Sequence, residues 1–113
     1  MEEIFKGGTL IINLDSIKMV SSDYVFKQDD KILIALKKIN NYDKNVLYGE
    51  ITPTPGETKV SHTFSHIETE KLIIGATYEL QADLITDGGK PFPMLLQKMK
   101  VVGRAIIPEK VGD

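Results

Sequence analysis

Apolar stretches in this chain are short, alternate with polar residues, and recur at roughly ten- to fifteen-residue spacing between clusters of Asp, Asn, Gly and Pro. A chain punctuated that often has no room for long helices, and its alternation suits strands that bury one face. The clearest case is Thr77 to Thr86, with Tyr78, Leu80, Ala82 and Leu84 on one side and Glu79, Gln81 and Asp83 on the other. Lys31 to Lys38 turns Ile32, Ile34 and Leu36 inward, and Leu33 and Ala35 on its second face predict a strand central to its sheet. Thr9 to Leu14 is a first strand with Leu10, Ile12 and Leu14 together. Tyr24 to Lys27 is a short extended piece, and Val46 to Thr52 is a strand closed by Pro53-Thr54-Pro55-Gly56. Thr58 to Phe64 groups Val60, His62 and Phe64 on one face of a strand nearer an edge. Met94 to Ile107 is the last strand, bent at Gly103.

One segment changes period. Ser65 followed three residues later by Glu68 is a helix-start capping box, which predicts one or two helical turns over about residues 66–72. Asn40-Asn41-Tyr42-Asp43 and Asp87-Gly88-Gly89-Lys90 are turns, the second a hairpin in which glycine supplies positive φ. The sum is an all-β chain of about seven strands, for which a Greek-key β-sandwich is favoured over a small closed barrel. Residues 1–113 then make a single domain, with its core at about 9–107 and a loose tail at 108–113.

Composition excludes several kinds of chemistry. There is no cysteine, which removes disulfide scaffolds, thiolate metal sites and cysteine nucleophiles. A net charge of -2 gives no long-range field toward nucleic acid, and of the 14 basic residues only Arg104 carries the forked guanidinium that phosphate and guanine readout favours. No apolar run approaches a membrane span, and Met1-Glu2-Glu3 does not open a signal segment, so the expectation is a protein made in the cytoplasm, with no nucleic-acid or membrane partner. Tryptophan is also absent, which weakens a sugar-stacking surface.

Two stretches carry a family resemblance. Leu72, then Gly75, then Tyr78 opening the strongest strand, resembles the tyrosine corner of immunoglobulin-like and fibronectin type III sandwiches, where the phenol bonds back to backbone just upstream. A wider likeness combines an N-terminal strand, the Asp23-Tyr24-Val25-Phe26-Lys27-Gln28-Asp29-Asp30-Lys31-Ile32 run, the capped Glu68-Thr69-Glu70-Lys71-Leu72 turn and the Thr86-Asp87-Gly88-Gly89 hairpin. Together these resemble small immunoglobulin-like proteins of the tail and baseplate region in phages and prophages of Gram-positive bacteria. The resemblance implies a virion building block or adaptor, neither catalytic nor cofactor-dependent, that works in several copies. The alternative is a cell-surface adhesion or carbohydrate-binding domain on the same scaffold.

Candidate chemistry is sparse. His62 and His66 have metal-ligand spacing only if both lie on one helix, and here one belongs to a strand; Glu68 would be a third ligand by proximity. Asp29 and Asp30 with Asp15 or Asp23 would supply oxygens for calcium, yet no Asp-x-Asp-x-Asp-Gly loop exists and turn chemistry explains the pair better. No serine sits in a Gly-x-Ser-x-Gly elbow, Gly7-Gly8 and Gly88-Gly89 are isolated pairs far from a phosphate loop, which needs a helix start and its lysine, and Glu68 with Glu70 suits a solvated face. The expectation is no enzyme, no cofactor and no metal. Pro91-Phe92-Pro93-Met94 suggests an edge or bulge that exposes Phe92 and Met94 to a partner subunit, including a second copy of the chain.

Overall fold

Ten residues of strict alternation bury one face and solvate the other only as a strand within a sheet. In a computed structural model, which describes residues 1–16 and 24–103, Thr77–Thr86 is that strand, with Tyr78, Leu80, Ala82 and Leu84 fully buried. In chain order the described elements are β1 (Glu2–Phe5), β2 (Leu10–Asp15), β3 (Lys31–Lys38), β4 (Leu47–Ile51), β5 (Lys59–Phe64), the helical turn α1 (His66–Thr69), β6 (Thr77–Thr86) and β7 (Lys90–Val102). The fold is all-β. A five-stranded mixed sheet has the order β1-β7-β6-β3-β4, and β2 pairs with β5 in a second, two-stranded sheet. The β1–β7 pairing is parallel and the other pairings are antiparallel.

One buried cluster joins the sheets. Ile12, Leu14 and Phe64 from the small sheet meet Ile32, Ile34, Leu36, Leu80, Leu84 and Val101 from the large one. On the solvated face of the large sheet, register sets opposite charges side by side: Glu79 lies between Lys37 and Lys98, and Glu3 lies opposite Lys100. Such cross-strand pairs favour this register over a slipped one. None of the described helices is long and apolar enough to cross a membrane.

Three elements differ from expectation. β1 precedes the expected first strand, which is β2. Tyr24 to Lys27 forms no ladder; Phe26 is instead buried, its N–H donating to Glu57 O at 2.9 Å and its carbonyl accepting from the Gly56 N–H at 2.8 Å. β7 begins at Lys90 rather than Met94 because its prolines are tolerated. Pro91 and Pro93 lie two residues apart opposite Ile85 and Asp83, so both missing N–H groups point away from β6. The expected continuation to Ile107 and the tail at 108–113 lie outside the described residues.

The two sheets meet closely at Gly49 of β4, where a Cβ would stand 2.5 Å from Cε1 and Nε2 of His62. That imidazole is braced edge-on against Phe64, with ring centroids 4.7 Å apart, so it has little room to retreat. Gly49→Ala is therefore expected to destabilise the protein by about 1–3 kcal/mol. In a His62→Ala background the same change should cost much less. Urea unfolding of the four proteins of this double-mutant cycle measures both effects.

Candidate functional site

The segment between β5 and β6 is fixed at several points. Ser65 Oγ accepts from the Glu68 N–H at 3.2 Å and Glu68 Oε1 accepts from the Ser65 N–H at 3.0 Å, which is the capping box in full. Buried Thr69 donates its hydroxyl to Gly8 O at 2.7 Å, docking α1 on the β1–β2 loop. Leu72 is fully buried. Gly75, at φ 88, gives its N–H to Val101 O at 2.8 Å, and Ile73 donates its N–H to the buried Tyr78 Oη at 3.0 Å. Leu72, Gly75 and Tyr78 thus act together, with the phenol as acceptor.

With the backbone tied down in this way, several isoleucines point outward. Ile67, Ile73 and Ile74 are 68%, 53% and 59% exposed. Phe5, also exposed, lies opposite Val102 at the end of β7, and Ile74 Cδ1 is 3.8 Å from where a Gly103 Cβ would stand. Ile74, beside Gly103, and its chain neighbour Ile73 therefore stand exposed at the end of the large sheet where β7 stops, an apolar rim on a hydrogen-bonded frame. Both residues were visible in the sequence, but their place at the sheet end was not, because it depends on the bonds of this segment to Tyr78 and Val101.

The expected contact pair divides. Met94 is only 3% exposed and belongs to the core, so it offers no surface to a partner, whereas Phe92 is 37% exposed. The cause is a β-bulge: register passes from Ala82↔Leu95 to Asp83↔Pro93, leaving Met94 as the extra residue. A bulge breaks the simple alternation and re-aims side chains, and here it turns Met94 inward.

Asp30 is buried rather than exposed in its turn. Its Oδ1 accepts from the Thr86 hydroxyl and its Oδ2 from the Tyr24 hydroxyl, both at 2.5 Å, and Oδ2 also accepts the Lys27 N–H at 2.8 Å. Lys27 Nζ lies 3.3 Å from Asp87 Oδ1, tying the same loop to the β6–β7 hairpin at the surface. Burial opposes ionisation of Asp30, but the Lys27 N–H, the two hydroxyls and the nearby ammonium outweigh it and hold its pKa below the ordinary 3.8. Burial and the Asp30 carboxylate raise the Tyr24 pKa. Asp30 is thus a pin between the loop and β6, with its oxygens already engaged.

The remaining candidates stay apart. Asp15 on β2 lies opposite Lys59, Asp29 is exposed at φ 70, and Asp23 lies outside the described residues. His62 packs over Gly49, while His66 opens α1 and Glu68 is engaged in its cap. Among the described residues no three of His, Asp and Glu gather as a metal site. No family model, curated protein or solved structure matches the chain.

Two outcomes follow for the fixed points. Tyr78→Phe removes the acceptor of the Ile73 N–H and should lower stability by about 1–3 kcal/mol, read from urea unfolding. Because the Asp30 pKa is depressed on folding, its contribution is fully present above the ordinary carboxylate value and is lost as pH falls through the folded value. Asp30→Asn should therefore be less stable than wild type at neutral pH, and the gap should narrow as the pH falls below the ordinary carboxylate value; a gap that stays constant with pH would assign Asp30 no titrating role.

Proposed function

We propose that this chain is a non-enzymatic protein-interaction module on an immunoglobulin-like Greek-key β-sandwich, serving as a tail- or baseplate-region component of a phage or prophage virion. Strand order supports the fold reading. In variable-type immunoglobulin domains strands G, F and C share a sheet that C′ extends, and B and E lie in the facing sheet. Here β7, β6, β3 and β4 follow one another as G, F, C and C′ would, and β2 with β5 stands as the B–E pair. Tyr78 comes at the start of β6, where the corner tyrosine of strand F belongs, and bonds to backbone five residues upstream. The first strand, β1, pairs in parallel with the last, β7.

The observation that carries the functional reading is the exposed pair Ile73 and Ile74 on the fixed segment before β6. Exposed apolar side chains grouped on one part of a surface mark protein contacts. A rim whose backbone is already hydrogen-bonded orders little further chain when it binds. The resemblance of its motif order to small phage and prophage structural proteins is what suggests a virion, with other protein subunits as partners.

Co-expression with the products of the genes adjacent to its own, followed by size exclusion, tests this reading. A stable complex with a tail or baseplate protein is expected, dissociated by Ile73→Lys with Ile74→Lys and retained by Phe92→Lys. Elution apart from every such product, or a complex indifferent to the double substitution, would overturn it.

A further inference from the structure

We propose that β1 is an exchangeable strand by which two copies of this chain hold one another. β1 contributes one buried side chain, Ile4, seated opposite Val101, and runs parallel to β7 along Met99–Val102. It is followed by a tight turn in which the Gly8 N–H donates to Phe5 O at 2.9 Å and Gly7 stands at φ 75. A Cβ on Gly8 would lie 3.1 Å from Phe5 O. The closed turn therefore requires glycine at position 7 for its positive φ and leaves a side chain at position 8 only a tight fit.

The side-chain parity on either side of the turn is continuous. Ile4 faces the core from β1, and Ile12 and Leu14, with Leu10 partly buried beside them, face it from β2. Ile4 and Leu10 are an even number of residues apart, so straightening the turn makes Glu2–Asp15 one strand with all four apolar side chains on one face. Lys6 to Thr9 would then span about 13 Å, carrying β1 clear of its own edge. The vacated strip along Met99–Val102 and the pocket for Ile4 fit the β1 of a second copy, which receives the first copy's strand in return. The dimer keeps the β1–β7 contacts of the closed monomer and gives up those of the hinge, the Gly8 N–H bond to Phe5 O and the Thr69 hydroxyl bond to Gly8 O, so concentration and hinge conformation set the balance. This deepens the reading as an interaction module with a second copy as partner, and uses β1 rather than the Ile73–Ile74 rim.

The chain has no cysteine, so Glu3→Cys with Lys100→Cys, which face each other in register, reports where each β1 lies. The full-length protein is refolded at high concentration, and its monomer and dimer fractions are separated and oxidised. The expected result on a non-reducing gel is a covalent dimer from the dimer fraction and an internally bridged monomer from the monomer fraction. A second variant, Gly7→Val, penalises the closed turn and should raise the association constant roughly tenfold for each of the two hinges. A dimer fraction whose bridges are internal to each chain would overturn the proposal by showing a side-by-side dimer, as would the lack of any dimer with either the native or the Val hinge. A covalent dimer that persists with Ile73→Lys and Ile74→Lys upholds exchange even if those changes release no other partner.

Discussion

The central position of β6 is the constraint on which the rest depends. It pairs with β3 on one side and β7 on the other, and Tyr78, Leu80, Ala82 and Leu84 form the floor on which the second sheet rests. Its first residues also bind the upstream segment: the Tyr78 phenol accepts the Ile73 N–H, and Gly75 reaches Val101 across the β7 ladder. Its last residue, Thr86, donates to buried Asp30 and so holds the loop before β3. One strand thus fixes the core, the rim and the loop at the opposite end.

Asp30 shows how a charge can be buried without a buried countercharge. The desolvation that would neutralise it is offset by one N–H and two hydroxyl donors on its two oxygens, while the Lys27 ammonium stays at the surface with Asp87. Removing any one donor weakens a site that already works against burial. The cluster is therefore better understood as a positional lock between loop and hairpin than as a ligand cage with spare coordination.

Strands whose faces differ in polarity were readable from the sequence. β3 and β6 agree residue by residue with the alternation, and the capping box at Ser65 and Glu68 is local enough to be seen directly. β1 was not readable, because Ile4 is its one buried residue and its partner strand is at the far end of the chain. Met94 was misread as surface because the prolines beside it suggested an exposed edge or bulge, whereas the bulge opposite Ala82 and Asp83 leaves its side chain in the core. Likewise Asp29 and Asp30 look alike as turn residues, and only Tyr24 and Thr86, brought in by the fold, separate an exposed carboxylate from a buried one.

The outer edge of β7 is guarded differently along its length. Pro91 and Pro93 remove donors from its first part, the bulge at Met94 twists the strand next to them, and β1 covers Met99–Val102. An arbitrary strand arriving from outside meets missing donors at one end and an occupied ladder at the other. A strand that docks there has to run parallel to β7 and offer an apolar residue where Ile4 sits, with small, permissive residues following so that the chain can turn or straighten. Within this sequence β1 and its Gly7-Gly8 hinge meet all of those conditions. The same devices that protect the edge from indiscriminate pairing leave β1 as the strand that fits it.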